Sequence, residues 1–370
     1  MVIYNSMILW IVICGMFYYL AEQKKTKLND CENKARVSML CGIITYAYII
    51  FWVGIRSGVA DTATYIAMFK NYSTDLSVIP SYWNISQNKN PGFDTLNVIF
   101  KHFVSEDYHV WLMTIAILTG IPIMIKLREK STNFFFSSYL FITSILFFWM
   151  LNGMRQFLVV SIMFFASDWI EKKKTIRFVL LVLIMSTIHF TVLVMIPMYF
   201  IAIEKPFGKK VILFMALLIA FIAFLNPFIS SIENLMVETA YSGFSQQFAQ
   251  DDGVNPIRVM VMLVTPTIAF IGRKIIEEKN NTYINICVNM SVICAGIYFL
   301  GIFTSGILVG RLPVYFEMYN LVLLPYLMKE CFTKRSVKIV FGICAICYFS
   351  FYWIQMNSSY YVSDITGVLF

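Results

Sequence analysis

Apolar runs of about twenty residues recur from one end of this chain to the other, each long enough to cross about 30 Å of hydrocarbon as a helix. A bilayer offers no water to an unpaired backbone N–H or C=O, so runs of this kind fold as helices that satisfy themselves. The charge content fits that setting. Only 14% of the 370 residues are charged and the mean hydropathy is +0.72, whereas a soluble domain carries about 25% charged residues. The chain therefore reads as all-α: a polytopic integral membrane protein of about ten transmembrane helices in a single transmembrane domain, residues 1–370. Its composition argues against a cytoplasmic enzyme, a secreted disulfide scaffold, a nucleic-acid binder and a disordered regulator.

The formal net charge of +8 is mostly a topology signal. Six short segments, 22–36, 126–130, 171–177, 204–210, 273–279 and 329–338, hold 22 of the 29 Lys and Arg residues. Such enrichment marks the cytoplasmic side. The uncharged residues 1–21 lack a basic leading region and read as a retained first helix rather than a cleaved signal peptide. Alternating sides places both termini outside, a first extracytoplasmic loop at 55–107 and a second at 231–256. Within the first loop, 93–104 has amphipathic spacing and reads as an interfacial helix. The segment 178–203 is basic at both ends. A single crossing there would put every later basic segment outside, so a broken or re-entrant hairpin with its tip near His189 is expected. One tilted, kinked span is the alternative.

Seven basic residues lie outside those segments: Arg56, Lys70, Lys89, Lys101, Arg155, Arg258 and Arg311. A charge at membrane depth costs about 2.5–3.5 kcal/mol on insertion scales and is seldom kept without a function. Arg155 is flanked by Leu151 and by Phe157-Leu158-Val159-Val160, and Arg311 sits beside Gly310 and Pro313. His189 is the one histidine inside an apolar run, where a packing role competes with a chemical one. In Arg56-Ser-Gly-Val-Ala-Asp61-Thr62-Ala-Thr-Tyr65 the guanidinium offers a planar fork for phosphate oxygens. Asp61 would orient it or take a proton; an exposed loop ion pair worth under about 1 kcal/mol is the alternative. The chain has no Walker A pattern, no H-E-x-x-H and no D-x-D for a metal–nucleotide sugar. Cys344 and Cys347 form a C-x-x-C with no second pair to complete a metal site. No metal, cofactor or nucleic-acid partner is therefore expected. A group-transfer donor would itself be membrane-embedded, such as a polyprenyl-linked sugar.

At these residues the sequence resembles the EpsG family of Wzy-type polysaccharide polymerases. The family's Arg followed by a G-x-D-T-x-x-Y-like stretch is similar to Arg56, Asp61, Thr62, Tyr65 and Phe69, with Ala60 standing where Gly is usual. Its Pro-Gly-Phe element matches Pro91-Gly92-Phe93, preceded here by Asn90 where an acidic residue is common. Its Arg-Gln pair matches Arg155-Gln156, its His segment His189 to Pro197, and its late Arg the stretch Gly310-Arg311-Leu-Pro-Val-Tyr315-Phe316.

The resemblance implies a multi-pass protein of the bacterial cytoplasmic (inner) membrane. It would join undecaprenyl-diphosphate-linked repeat units, donor and acceptor, into O-antigen, capsule or exopolysaccharide on the outer face. A chain-length regulator is the protein partner it suggests. On that reading Arg155 and Arg311 bind the diphosphate, Arg56, Tyr65, Gln156 and Tyr315 belong to the substrate site, and Asp61 or His189 is the base. A flippase of the same lipid-linked units would more often show an internal duplication, which the sequence lacks. A membrane O-acetyltransferase would be expected to carry its His near the first helices, where this chain has none.

Overall fold

The computed structural model describes residues 1–26, 37–84, 88–224, 253–304, 306 and 309–369. The second expected outer loop, 231–256, falls mostly outside the described residues. The first helices are α1 (Val2–Thr26), α2 (Met39–Gly54), α3 (Thr62–Asn71), α4 (Ile79–Tyr82), α5 (Pro91–Phe103) and α6 (Tyr108–Lys130). They are followed by α7 (Phe134–Thr143), α8 (Met154–Phe165), α9 (Asp168–Glu171), α10 (Thr175–Ser186), α11 (Met195–Ala202) and α12 (Lys209–Ala223). The remainder are α13 (Pro256–Ile271), α14 (Arg273–Lys279), α15 (Thr282–Leu300), α16 (Val314–Glu317), α17 (Asn320–Cys331) and α18 (Val337–Met356). Strand pairing among the described residues is confined to a two-residue antiparallel hairpin, β1 (Val362–Ser363) with β2 (Val368–Leu369).

Polar residues at the edges of the apolar runs start these helices. Ser38, Asp107, Asn133, Asn255 and Asn281 each accept a backbone N–H of the first turn of α2, α6, α7, α13 and α15, a cap worth about 1 kcal/mol. Four helices, α1, α6, α15 and α18, are long and apolar enough to cross a membrane. The pair α13–α14, bent by 65°, makes a fifth if it is one span. This is an all-α membrane protein. Several apolar runs are segmented: 133–151 breaks after Thr143, 155–170 after Phe165, and 312–328 between α16 and α17. At the first break Ile145 takes φ +71°, a strained value for a β-branched side chain. A short 3-10 turn, Leu146–Met150, and Gly153 at φ +73° then lead into α8.

The chain forms two compact units. Unit one comprises residues 1–71, 105–165 and 332–370; unit two comprises 72–104 and 166–331. In unit one α2, α6 and α8 pack side by side, with α1, α7 and α18 alongside. Both chain ends meet there, since the Met1 amine approaches the Ser359 carbonyl and the Tyr4 hydroxyl donates to that of Tyr360. The C-terminal hairpin is tied to the end of α2. Ser57 N–H donates to Val362 O at 2.9 Å, Ser363 Oγ to Ile55 O at 2.6 Å and Tyr361 Oη to Trp52 O at 2.5 Å.

Unit two is built around α15, a largely apolar helix enclosed by its neighbours. Against it packs the segment expected to be a hairpin, and it does turn back. Thr175 and Tyr199 hydroxyls lie 2.7 Å apart, and the Phe178 and Tyr199 rings are 5.1 Å apart. A straight helix would separate residues 175 and 199 by about 36 Å at 1.5 Å per residue. The turn is Thr187-Ile188-His189. Asn289 of α15 donates through Nδ2 to the carbonyls of Ile201, Ala202 and Glu204, satisfying groups that the end of α11 leaves open. The amphipathic α5 starts against the hairpin turn: Gly92 N–H donates to Thr187 O at 2.9 Å.

A Cβ at residue 92 would lie 2.8 Å from Thr187 Cβ and 3.1 Å from its carbonyl carbon. Gly92→Ala is therefore expected to destabilise the protein by about 1–3 kcal/mol through overpacking, read as a lowered unfolding midpoint in detergent; an unchanged midpoint would show that α5 does not sit on the turn.

Candidate functional site

In unit one the site begins where α2 ends. Arg56 is 0% exposed and its guanidinium is held by three segments. Nε donates to Thr62 Oγ1 at 3.0 Å, one terminal nitrogen to Val53 O at 2.5 Å and the other to Met154 Sδ at 3.2 Å. Tyr4, Tyr65 and Tyr361 face it. No carboxylate pairs with Arg56 among the described residues, so the expected Asp61 partner is replaced by the Thr62 hydroxyl. Arg56 thus ties the end of α2 to the starts of α3 and α8.

That tie places α3. Thr62 opens the helix, and Tyr65, three residues on, shares its face. The Arg155 guanidinium stands over the Tyr65 ring, 5.7 Å from its centroid, within cation–π range. Met154 and Arg155 are adjacent in the first turn of α8, so one turn of helix meets both Arg56 and Tyr65. Arg155 is half-buried, whereas Gln156 is buried. Asp61, just before α3, is half-exposed and makes no side-chain hydrogen bond or ion pair among the described residues. Ala60 before it has φ +46°, the left-handed region where a Cβ costs about 1 kcal/mol or more. This is the physical reason a glycine suits the position.

In unit two the hairpin turn presents His189. Thr191 Oγ1 lies 3.2 Å from His189 Nδ1 and 3.0 Å from Tyr315 Oη, so a hydrogen-bonded chain runs from the turn to α16. Arg311 ends a 3-10 turn just before that helix and is half-buried, and Tyr315 is buried. Tyr315 therefore braces His189 through Thr191 rather than lying open.

Two features lie outside the expectations above. Glu317, inside an apolar run, is 1% exposed and accepts from Tyr298 Oη at 2.7 Å; an acidic residue at such depth was the available signal. The C-terminal hairpin against the Arg56 loop carried no such signal, because its docking uses backbone carbonyls. There Asp364 accepts from Tyr108 Oη at 2.5 Å and lies 3.2 Å from His109 Nε2. The other ring nitrogen of His109 is 2.8 Å from Asp107.

Ala60→Gly is expected to raise stability by about 0.5–1 kcal/mol and leave function intact, measured as a higher unfolding midpoint; a lower one would contradict the left-handed conformation. Cutting the chain after Ser359 is expected to release the Arg56 loop, seen as faster amide exchange at Ser57. Unchanged protection there would show that the hairpin does not hold it.

Compared with known families, the chain matches the EpsG family over residues 39–364. No curated protein and no solved structure matches it. The match takes in the Arg56–Tyr65 loop, Arg155, the His189 hairpin, Arg311 and the C-terminal hairpin as far as Asp364, and on that breadth the chain belongs to the EpsG family.

Proposed function

We infer that this protein is a polysaccharide polymerase that joins undecaprenyl-diphosphate-linked oligosaccharide repeat units on the extracytoplasmic face of the bacterial cytoplasmic membrane. Membership of the EpsG family supports a role in exopolysaccharide biosynthesis. The observation that carries the finer reading is Arg155, a half-buried cation over Tyr65 at a helix start, beside a loop built around a buried arginine.

Unit one supports one reading of the sidedness. The Arg56 loop, both chain ends and the start of α6 lie together, while Arg128 and Lys130 close α6 at its far end, about 33 Å away at 1.5 Å per residue. Basic residues mark the cytoplasmic side, which supports a reading with the loop and both termini outward. The segmented runs fit an arrangement of about ten apolar segments with the hairpin dipping into the membrane.

The reaction is glycosyl transfer. A hydroxyl on the acceptor unit attacks the anomeric carbon of the donor chain. The new C–O bond forms as the bond from that carbon to the diphosphate oxygen breaks. Undecaprenyl diphosphate leaves with the electron pair, and the hydroxyl proton passes to a carboxylate or imidazole. Arg155 and Arg311 bind the diphosphate and stabilise its developing charge. Tyr65 offers an aromatic edge to a sugar, and Asp61 or His189 takes the proton. In unit one Arg56 holds the starts of α3 and α8, in unit two Tyr315 braces His189 through Thr191, and Gln156 is a further substrate-site residue. A metal and a nucleotide have no part in the scheme.

In a strain lacking this gene, wild type is expected to restore a ladder of surface polysaccharide. Arg155→Ala should leave a single repeat unit on its carrier, with the protein present at normal level. An intact ladder with Arg155→Ala would overturn the diphosphate role, and loss of even the single unit in the deletion strain would indicate transport of the units instead. Asp61→Asn and His189→Gln separate the two candidate bases: the variant of the true base loses the ladder, the other keeps it, and two intact ladders would exclude both.

A further inference from the structure

Residues 72–104, the part of the expected first outer loop that lies in unit two, carry a cluster that the scheme above leaves unused. The stretch 72–84 runs along one flank of α5. Lys101 Nζ donates to Tyr72 O at 2.6 Å, and His102 Nδ1 lies 2.8 Å from Thr74 O. At the start of α5, Asp94 and Thr95 each hold an aromatic side chain of that stretch. Tyr72 Oη donates to Asp94 Oδ1, and Trp83, just past α4, donates through Nε1 to Thr95 Oγ1 at 3.1 Å. Asn88 Nδ2 donates to the other Asp94 oxygen at 2.7 Å and to Tyr82 O at 3.0 Å.

Two of these groups retain capacity for a ligand. Trp83 is 47% exposed although its N–H is already bonded, so a fixed indole surface stays open. Asp94 is half-buried, forms no ion pair among the described residues and accepts one neutral donor at each oxygen. A carboxylate oxygen has two lone pairs, so each can take a further hydroxyl. A bilayer anchor would be built differently. The exposed apolar residues of α5 are Leu96, Ile99 and Phe103, which share one face by helical spacing. Trp83 sits instead on Thr95 beside a carboxylate, which an apolar environment penalises. An indole plane next to an anionic acceptor suits a pyranose ring: the C–H face packs on the aromatic surface, and the hydroxyls donate to the carboxylate with charge assistance.

We propose that Trp83 and Asp94 form a sugar subsite for one pyranose ring of the lipid-linked oligosaccharide, Trp83 by stacking and Asp94 by accepting from its hydroxyls. This rests on the polymerase reading and supplies it with residues that select the sugar. Tyr72 and Asn88 brace the carboxylate, and Thr95 fixes the indole. The diphosphate and the carrier lipid take no part in these contacts, so the subsite reads the sugar alone.

The test uses the full chain in liposomes with purified lipid-linked repeat unit, measuring KM and kcat beside an unfolding midpoint. Trp83→Leu and Asp94→Asn are each expected to raise KM by about tenfold, with kcat and the midpoint little changed. Oligosaccharide freed from its carrier should inhibit wild type, and inhibit either variant about tenfold less well. Trp83→Phe, which keeps an aromatic face, recovers most of the loss. Tyr72→Phe removes one donor to Asp94 but leaves the carboxylate, so it should keep the wild-type KM. A rise there equal to that of Asp94→Asn would make Asp94 a loop brace only and overturn the proposal. Wild-type KM in Trp83→Leu, the behaviour of a membrane anchor, or in Asp94→Asn would overturn it too. A wild type that forms no polymer would overturn the polymerase reading and the subsite together, which separates the two failures.

Discussion

The Arg56 guanidinium is the contact on which the candidate site in unit one depends. A buried cation without a carboxylate must be satisfied by dipoles, and each charge-assisted hydrogen bond contributes about 1.5–3 kcal/mol. Its three acceptors come from the end of α2, the start of α3 and the start of α8. Removing any one leaves an under-solvated charge, so the three segments are locked together by the cost of separating them. Tyr65 and Arg155 inherit their places from this lock, one by its spacing from Thr62 and the other by being next to Met154. The C-terminal hairpin closes the arrangement from a distance of some three hundred residues in sequence.

Unit two uses a different device. Its central helix is largely apolar, which makes it an anchor without direction. Direction comes from single polar atoms: Asn289 on the end of α11, Thr187 O on Gly92, Thr191 on Tyr315. In hydrocarbon, interhelical hydrogen bonds and close approaches at small residues supply the specificity that packing of similar aliphatic chains cannot. Asn289 fixes the end of the returning limb, and the other two fix the turn that bears His189. Backbone that leaves the helix needs its polar groups satisfied, and here the start of α5 lies against the turn, with Gly92 N–H donating to Thr187 O.

Much of this was written in the order of residues. Lipid-length apolar runs gave the all-α membrane class, and flanking basic residues at both ends of 178–203 gave the hairpin. The Arg56–Tyr65 motif marked the loop, although the roles inside it changed: Thr62, not Asp61, meets the guanidinium. That choice depends on which side chain faces inward after a residue at positive φ, and a composition-based reading has no access to it. The segmentation of 133–151 at Ile145 was equally hidden, because a strained φ in an apolar run leaves no compositional mark. Glu317 was visible as a lone acid among apolar neighbours. Its hydrogen bond to Tyr298 needed the packing of α16 against α15.

The account stands on chain growth from lipid-linked units alone, with charge on the leaving diphosphate neutralised by arginine rather than by metal. The most direct measurement supplies the purified protein in liposomes with one lipid-linked repeat unit, no nucleotide and excess chelator, and follows both polymer length and released undecaprenyl diphosphate. The account predicts a ladder of products with one undecaprenyl diphosphate released for each unit joined. Units that remain single, with no undecaprenyl diphosphate released, would contradict it.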